Sequence, residues 1–219
     1  MKREVVLTKD GSKTIFVPEL DEHYHSIHGA RQESMHVFIK NGFDAFKNKG
    51  KVRILEVGFG TGLNAFLTLA TNNQNVKDVE YVGLEPFPVE KGCVNELIED
   101  QFDTDEQAIF LALHEAEWNV SASIVPNFTI KKIQHRIEDF SPLEHFELIY
   151  FDAFGPRAQA ELWTLPIFQK TFELLAQGGR MVTYCAKGQV KRDLKLAGFR
   201  VESVPGPPGK REMTIAHKD

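Results

Sequence analysis

Cysteine is scarce in this chain: Cys93 and Cys185 are the only two in 219 residues, and no C-x-x-C occurs. That excludes a disulfide framework and suits two free thiols in a reducing compartment. No apolar run approaches the roughly 18 residues of a membrane span. The opening MKREVVLTKDG is charged and has no apolar block behind it, which argues against a secretory leader. A cytoplasmic location is therefore expected. Internal repeats and low-complexity linkers are also missing. The net charge is −5, so a general affinity for nucleic acid is not expected. The charge is uneven, however. Residues 180–219 hold nine Lys/Arg against four Asp/Glu, so this tail carries +5 while the rest carries −10. A local phosphate-facing patch fits that asymmetry. The length and a 42% hydrophobic content allow one domain with a sizeable core.

The most informative segment is VRILEVGFGTGLN, residues 52–64. A β-branched run ends in glycines at 58, 60 and 62, which permit tight backbone turns and close approach of a ligand. A helix is expected from about Gly62, with free N–H groups at its mouth, and Asn64 lies in its first turn. The dinucleotide fingerprint G-x-G-x-x-G needs a third glycine where Leu63 stands, so a pyrophosphate cofactor is disfavoured. The pattern resembles motif I of the class I S-adenosylmethionine-dependent methyltransferases.

Strand and helix patterns alternate from there. Strands are expected at 52–57, 79–84, 128–133, 146–151 and 180–185, and helices at 62–71, 89–99, 105–118, 165–176 and 189–197. The alternation implies a doubly wound parallel sheet in an α/β protein, with ligands at the carboxyl ends of the strands. Residues 199–204 and 213–217 are expected to pair as a terminal hairpin. The resemblance to class I methyltransferases implies that an antiparallel strand closes the sheet. Upstream, 5–7 and 14–17 flank Asp10-Gly11 as a hairpin, and 27–46 reads as mostly helical. Residues 1–50 are thus expected to form an extension packed on a Rossmann-like domain at 51–219.

Three acids stand at strand ends. Glu56 precedes the glycines and can face the methionine end of S-adenosylmethionine, directly or through water. The other reading is a carboxylate pinning its own turn. Glu85 ends the second strand, at the distance where Rossmann-like folds accept ribose hydroxyls. Asp152 follows the apolar run FELIYF in FELIYFDAFGP and should sit beside the cofactor. Phe154, Gly155 and Pro156 set a rigid turn with an aromatic face beside that acceptor, able to hold an amine or a flat base.

YFDAFGPRAQAELW (150–163), TYCAKGQVKRDLKLAGF (183–199), GPPGKREM (206–213) and ELDEHYHSIHGARQESMHVF (19–38) are similar to blocks of one family. It is the methyltransferase family that completes 5-methylaminomethyl-2-thiouridine at the tRNA wobble position, as half of the bifunctional MnmC or as a stand-alone enzyme. The resemblance implies S-adenosyl-L-methionine as cofactor and the anticodon region of tRNA as partner. It implies no metal and no membrane. The fused enzyme's flavin-dependent oxidase half has no counterpart in these residues, so upstream wobble-uridine modification enzymes would supply the aminomethyl group. Family members often carry an Asp after the third strand for the adenine amino group. Here QHRIEDF (134–140) stands instead, leaving Glu138, Asp139 or the backbone around Ile137 as substitutes.

On this reading Asp152, helped by backbone carbonyls around Phe154, orients the substrate amine. Tyr24, Ser26 and Glu33 line a lid, and Lys187, Lys191, Arg192, Lys210 and Arg211 are candidate phosphate contacts. His23, His25, His28 and His36 raise a metal reading, but no cysteines or paired acids complete it. Trp163 is expected to pack a helix onto the sheet. Two other functions remain open from sequence: a small-amine methyltransferase or aminopropyltransferase, and a non-catalytic RNA-binding module.

Overall fold

The computed structural model describes residues 2–72, 78–98 and 102–219. The chain begins with strands β1 (Glu4–Leu7), β2 (Lys13–Val17) and β3 (Glu22–His23), which form a small antiparallel sheet in that order. β1 and β2 pair across the Asp10-Gly11 turn, where Gly11 takes a φ of 81°. Asp10 caps this turn by accepting from the Ser12 and Thr8 hydroxyls. A short helix α1 (Ala30–Ser34) runs into a π-helical turn at Met35–Lys40 and a 3-10 turn at Phe43–Phe46. The helical reading of 27–46 therefore holds as a set of short, non-uniform turns. Phe38, Phe43 and Phe46 anchor it on the main core.

The main body alternates as expected. β4 (Lys51–Val57) leads to α2 (Leu63–Asn72), β5 (Asp78–Leu84), α3 (Lys91–Ile98) and α4 (Thr104–Glu115). The expected end of the third helix at Glu99 lies outside the described residues. Asp103 and Glu106 form a reciprocal capping box at the start of α4. β6 (Ser121–Val125) and β7 (Phe128–Ile133) follow, then β8 (Phe146–Phe151), α5 (Leu165–Leu174) and β9 (Leu175–Thr183). The chain closes with α6 (Gly188–Leu196), β10 (Arg200–Pro205) and β11 (Glu212–His217).

Eight strands make one sheet in the order β10-β11-β9-β8-β4-β5-β7-β6. β7, β5, β4, β8 and β9 are mutually parallel; β11 is antiparallel to β9, and β10 pairs with β11 as the terminal hairpin. The direction of winding reverses between β4 and β8, which creates a crevice at their carboxyl ends. β4 and β8 are buried on both faces, as their near-continuous apolar runs require. One core layer packs Phe66, Phe110, Phe128 and Tyr81 against α2 and α4; the other packs Phe151, Phe168 and Trp163 against α5 and α6.

Two elements differ from the sequence reading. β6 is an extra edge strand beside β7 with a register shift between Ser123 and Val125. Its alternation is interrupted there, and its residues are exposed or half-buried. β9 starts at Leu175 rather than at Arg180, because Gly178 (φ 74°) and Gly179 bridge an irregularity that lets the chain pair on both sides of it.

Candidate active site

Register brings the three acid-bearing strand ends together. Val57 pairs with Leu84 on one side and Phe151 on the other. The next residue on each strand is Gly58, Glu85 and Asp152, so three adjacent parallel strands deliver them to one crevice. The backbone ties them further. The N–H groups of Gly58 and Phe59 both donate to Leu84 O at 3.0 Å, and Asp152 N–H donates to Val57 O at 3.0 Å.

Gly58, Gly60 and Gly62 all have positive φ, at 91°, 50° and 73°. Space explains them too. A Cβ on Gly58 would lie 2.5 Å from Asp152 O, and one on Gly60 would lie 2.9 Å from the Tyr24 ring. His114 of α4 braces the loop from behind through Nε2, 2.9 Å from Thr61 O.

A cavity of about 200 Å³ opens over this loop. Gly58, Gly60, Glu85, Ile137, Glu138, Asp152, Phe154 and Tyr24 line it, with Arg3, Phe87 and Arg136. Glu85 accepts from Gly60 N–H at 3.1 Å and from Phe87 N–H at 2.9 Å. Burial raises its pKa, and these two bonds oppose the shift. Held this way, its free lone pairs suit a vicinal diol. Beyond it, Leu84, Phe87 and Ile137 offer apolar surface for a flat ring. Glu138 lies at the rim in a 3-10 turn (Ile137–Asp139), and the Arg136 guanidinium stands 5.7 Å over the Phe87 ring.

Glu56, Gly62 and Asn64 lie behind this wall. Glu56 is fully buried, its oxygens accepting from Tyr81 Oη and Asn64 Nδ2, each at 2.8 Å. Burial and the neighbouring Asp152 raise its pKa well above the ordinary carboxyl value. Asn64 Nδ2 also donates to Asp152 Oδ2 at 2.8 Å. Asn64 is thus a bridge between two carboxylates rather than a cavity-facing residue.

A second chamber of about 240 Å³ adjoins the first. Tyr24, Ser26, Glu33, Asp152, Phe154, Gly155, Tyr184 and Lys210 are in its wall. The Tyr24 and Phe154 rings meet edge-on with centroids 5.0 Å apart, and both residues line both chambers. Asp152 does the same. Burial pushes its pKa up to about 7, with the Glu33 charge adding to the shift; the Asn64 bond and Lys210 oppose it. Phe154 is fixed through its backbone, its N–H donating to Gln159 Oε1 at 3.1 Å and its carbonyl accepting from Trp163 Nε1 at 2.7 Å. Trp163 is buried against Phe151, so it serves packing and orientation of this turn. Tyr184 carries no signal of its own in the sequence, yet it donates to Ala153 O at 2.8 Å and walls the chamber.

An open groove continues outward past Gly155, Pro156, Lys187, Lys210 and Arg211. Lys191 is not free for a phosphate, being paired with Glu212 at 2.7 Å. Arg192 donates to Gln189 Oε1. Lys210, also a candidate phosphate contact, lines this groove and pairs with Glu33. The histidines disperse: half-buried His25 meets Thr14, while His36 reaches Pro205 O. Among the described residues no group of three or more His, Cys, Asp or Glu is placed to hold a metal. Among them also, no helix is long and apolar enough to cross a membrane.

The sheet order, the glycine loop and the crevice acids define an α/β transferase of the class I methyltransferase fold. The cavity fits the group these enzymes use: a diol-suited acid, an apolar slot and a bare-backbone loop line one cavity. A family model described as S-adenosyl-L-methionine-dependent methyltransferase matches residues 100–219. The chain belongs to that family, and S-adenosyl-L-methionine is its cofactor. Among relatives, it is 29% identical to the tRNA 5-methylaminomethyl-2-thiouridine biosynthesis bifunctional protein MnmC of Cupriavidus metallidurans, over 97% of this chain and 33% of that protein. The Marinomonas protein of the same name is 29% identical over 90% of this chain and 31% of its own length. The chain thus spans about a third of these relatives. The crystal structure of MnmC2 from Aquifex aeolicus superposes with a TM-score of 0.81 at 26% identity, covering 100% of this chain and 70% of that one. Spermidine synthase from Thermotoga maritima shares the fold at 11% identity and a TM-score of 0.56.

Proposed function

We propose that the protein methylates the primary amine of 5-aminomethyl-2-thiouridine at the tRNA wobble position, in the cytoplasm, giving 5-methylaminomethyl-2-thiouridine. The names of its relatives support this substrate. The observation that carries the reading is that Asp152 belongs to both chambers at once, with Tyr24 and Phe154 as the partition. An acceptor at such a junction touches whatever passes between a donor on one side and an amine on the other.

The roles follow from placement. Glu85 would take the ribose hydroxyls, Gly58 and Gly60 would let the donor lie on bare backbone, and Leu84 with Ile137 and Glu138 would receive the adenine. S-adenosylmethionine supplies an activated methyl group, so the protein's task is alignment and deprotonation. Asp152 accepts the proton that the substrate ammonium must lose, and its raised pKa suits that exchange near neutral pH. Asn64 holds the Asp152 carboxylate from behind. Phe154, Gly155 and Pro156 give the base a flat turn to lie on. Lys187 and Arg211 face the outer groove, where the anticodon backbone would run. Upstream enzymes of wobble-uridine modification would supply the aminomethyl group.

The test offers the protein labelled S-adenosylmethionine together with tRNA bearing 5-aminomethyl-2-thiouridine, and separately with putrescine or spermidine. Nucleoside mass spectrometry should find one added methyl on the wobble nucleoside. Transfer to polyamine and none to tRNA would replace this substrate with a small amine.

A further inference from the structure

The second chamber already holds a primary ammonium. Lys210 Nζ donates to Glu33 Oε1 and stands 4.0 Å over the Tyr184 ring centroid. Glu33 is buried, and its other oxygen accepts from Ser26 N–H at 2.8 Å, so the carboxylate is fixed in place. Tyr184 is held in turn by its bond to Ala153 O. A fixed carboxylate under an electron-rich ring is a receptor for an alkylammonium ion. The rest of the wall is Asp152, Phe154 and Gly155. Lys210 reaches this place from a loop between β10 and β11, and the Glu33 contact spans 177 residues of sequence. The loop is seated on the extension by Gly209, which has a φ of 85° and leaves no room for a Cβ beside His28.

We propose that Glu33 and Tyr184 form the docking site for the substrate's ammonium group, and that Lys210 fills this site as an internal stand-in until the substrate displaces it. The inference rests on the reading of this chamber as an amine site. Displacement has a consequence for Lys210 itself. Its ammonium leaves a buried carboxylate and swings to the outer groove, whose wall it also shares with Lys187 and Arg211. There a phosphate of the substrate can replace Glu33 as its partner. On docking, the substrate thereby exchanges one ammonium for another at Glu33, so the displacement itself leaves no buried charge alone. Asp152 then takes one proton from the docked ammonium and leaves the neutral amine beside the donor. Glu33 selects and holds the cation; Asp152 deprotonates it.

A substrate with an amine but no phosphate must expel Lys210 without that compensation. Removing the lysine should therefore help such a ligand and hurt tRNA. If Lys210 occupies the site about 90% of the time, its removal raises apparent affinity for the free amine about tenfold. The experiment measures binding of the nucleoside 5-aminomethyluridine by calorimetry, and KM for modified tRNA, in the wild type, Lys210→Met and Glu33→Gln. Lys210→Met should bind the nucleoside about tenfold tighter, with a higher KM for tRNA. Glu33→Gln should lose nucleoside binding. Nucleoside affinity that is unchanged or weaker in Lys210→Met would overturn the proposal, and thermal melting of that variant checks that it is folded. Tighter nucleoside binding in Lys210→Met, together with no methylation of modified tRNA by the wild type, would keep the amine site and remove the wobble-uridine substrate. Should Glu33→Gln fail to fold, Tyr184→Leu replaces it: retained nucleoside affinity there would exclude the aromatic half of the site.

Discussion

Asn64 Nδ2 lies 2.8 Å from Asp152 Oδ2, and the same nitrogen lies 2.8 Å from Glu56 Oε1. One amide therefore aligns the crevice acid against a carboxylate buried beneath it. Because each of its hydrogens has a separate acceptor, Asn64 steadies Asp152 without neutralising it. The arrangement turns the first helical turn after the glycine loop into a support for the acceptor chamber.

The first expectation concerns turnover. Asp152→Ala should lower kcat about a hundredfold or more, the usual scale for losing a positioned proton acceptor. Binding of S-adenosylmethionine should change only a few-fold by calorimetry. Turnover close to the wild type would remove Asp152 from the chemistry.

The pH dependence follows from the same residue. Asp152 must be ionised to accept a proton, and burial places its pKa at about 7. kcat/KM should accordingly rise with pH through about 7. The Asn64 bond holds that pKa down, so Asn64→Ala should move the inflection upward. A profile whose inflection stays put in Asn64→Ala would show that the amide does not set the acid.

Stability should run the opposite way. The folded pKa of Asp152 is raised, so its favourable contribution exists at low pH and is lost as pH rises from about 4 to about 7. Asp152→Asn should be more stable than the wild type by roughly 1–3 kcal/mol at pH 8 in urea unfolding, with little difference at pH 4. Such a gain on removing a functional acid is the expected trade between activity and stability. Equal stability at pH 8 would contradict a desolvated carboxylate here.

The glycines separate two kinds of constraint. Gly58→Ala places a Cβ 2.5 Å from a backbone carbonyl, so unfolding should become easier by roughly 1–3 kcal/mol or more. Gly60→Ala meets the side chain of Tyr24 instead, at 2.9 Å. It should cost less stability and chiefly displace that ring, weakening cofactor binding. Equal stability losses in the two variants would deny this distinction.

Lys187→Ala and Arg211→Ala should weaken tRNA binding across sequences and flatten its dependence on salt, by about one unit of slope for each phosphate no longer neutralised. An unchanged salt slope in both would make the outer groove ordinary surface.

Much of this was legible in the sequence because it is local. The run at 52–64 encodes its strand, turn and helix mouth by adjacency, and FELIYFDAFGP encodes a buried strand ending in an acid. The alternating pattern fixes the doubly wound body, and the hairpin of β10 and β11 brackets a Pro/Gly loop. What escaped is non-local or irregular. β6 is short, without a buried residue, and bulged, so its period of two is broken after Ser123. The early start of β9 depends on a glycine pair that reads like a terminator. Glu33 and Lys210 meet from positions 177 residues apart, and no spacing in the chain links them. The sequence places Asn64 in the first turn after the glycine loop, but its role as a bridge depends on β8 arriving beside β4. Tyr184 acquires importance only from what lies opposite it.

The rings of Tyr24 and Phe154 are at once a boundary of the donor compartment and a boundary of the acceptor compartment. A shift of either ring by one guest reshapes the seat of the other. Where such a shift occurs, the affinities for the two guests are thermodynamically linked, and each alters the other by the same factor.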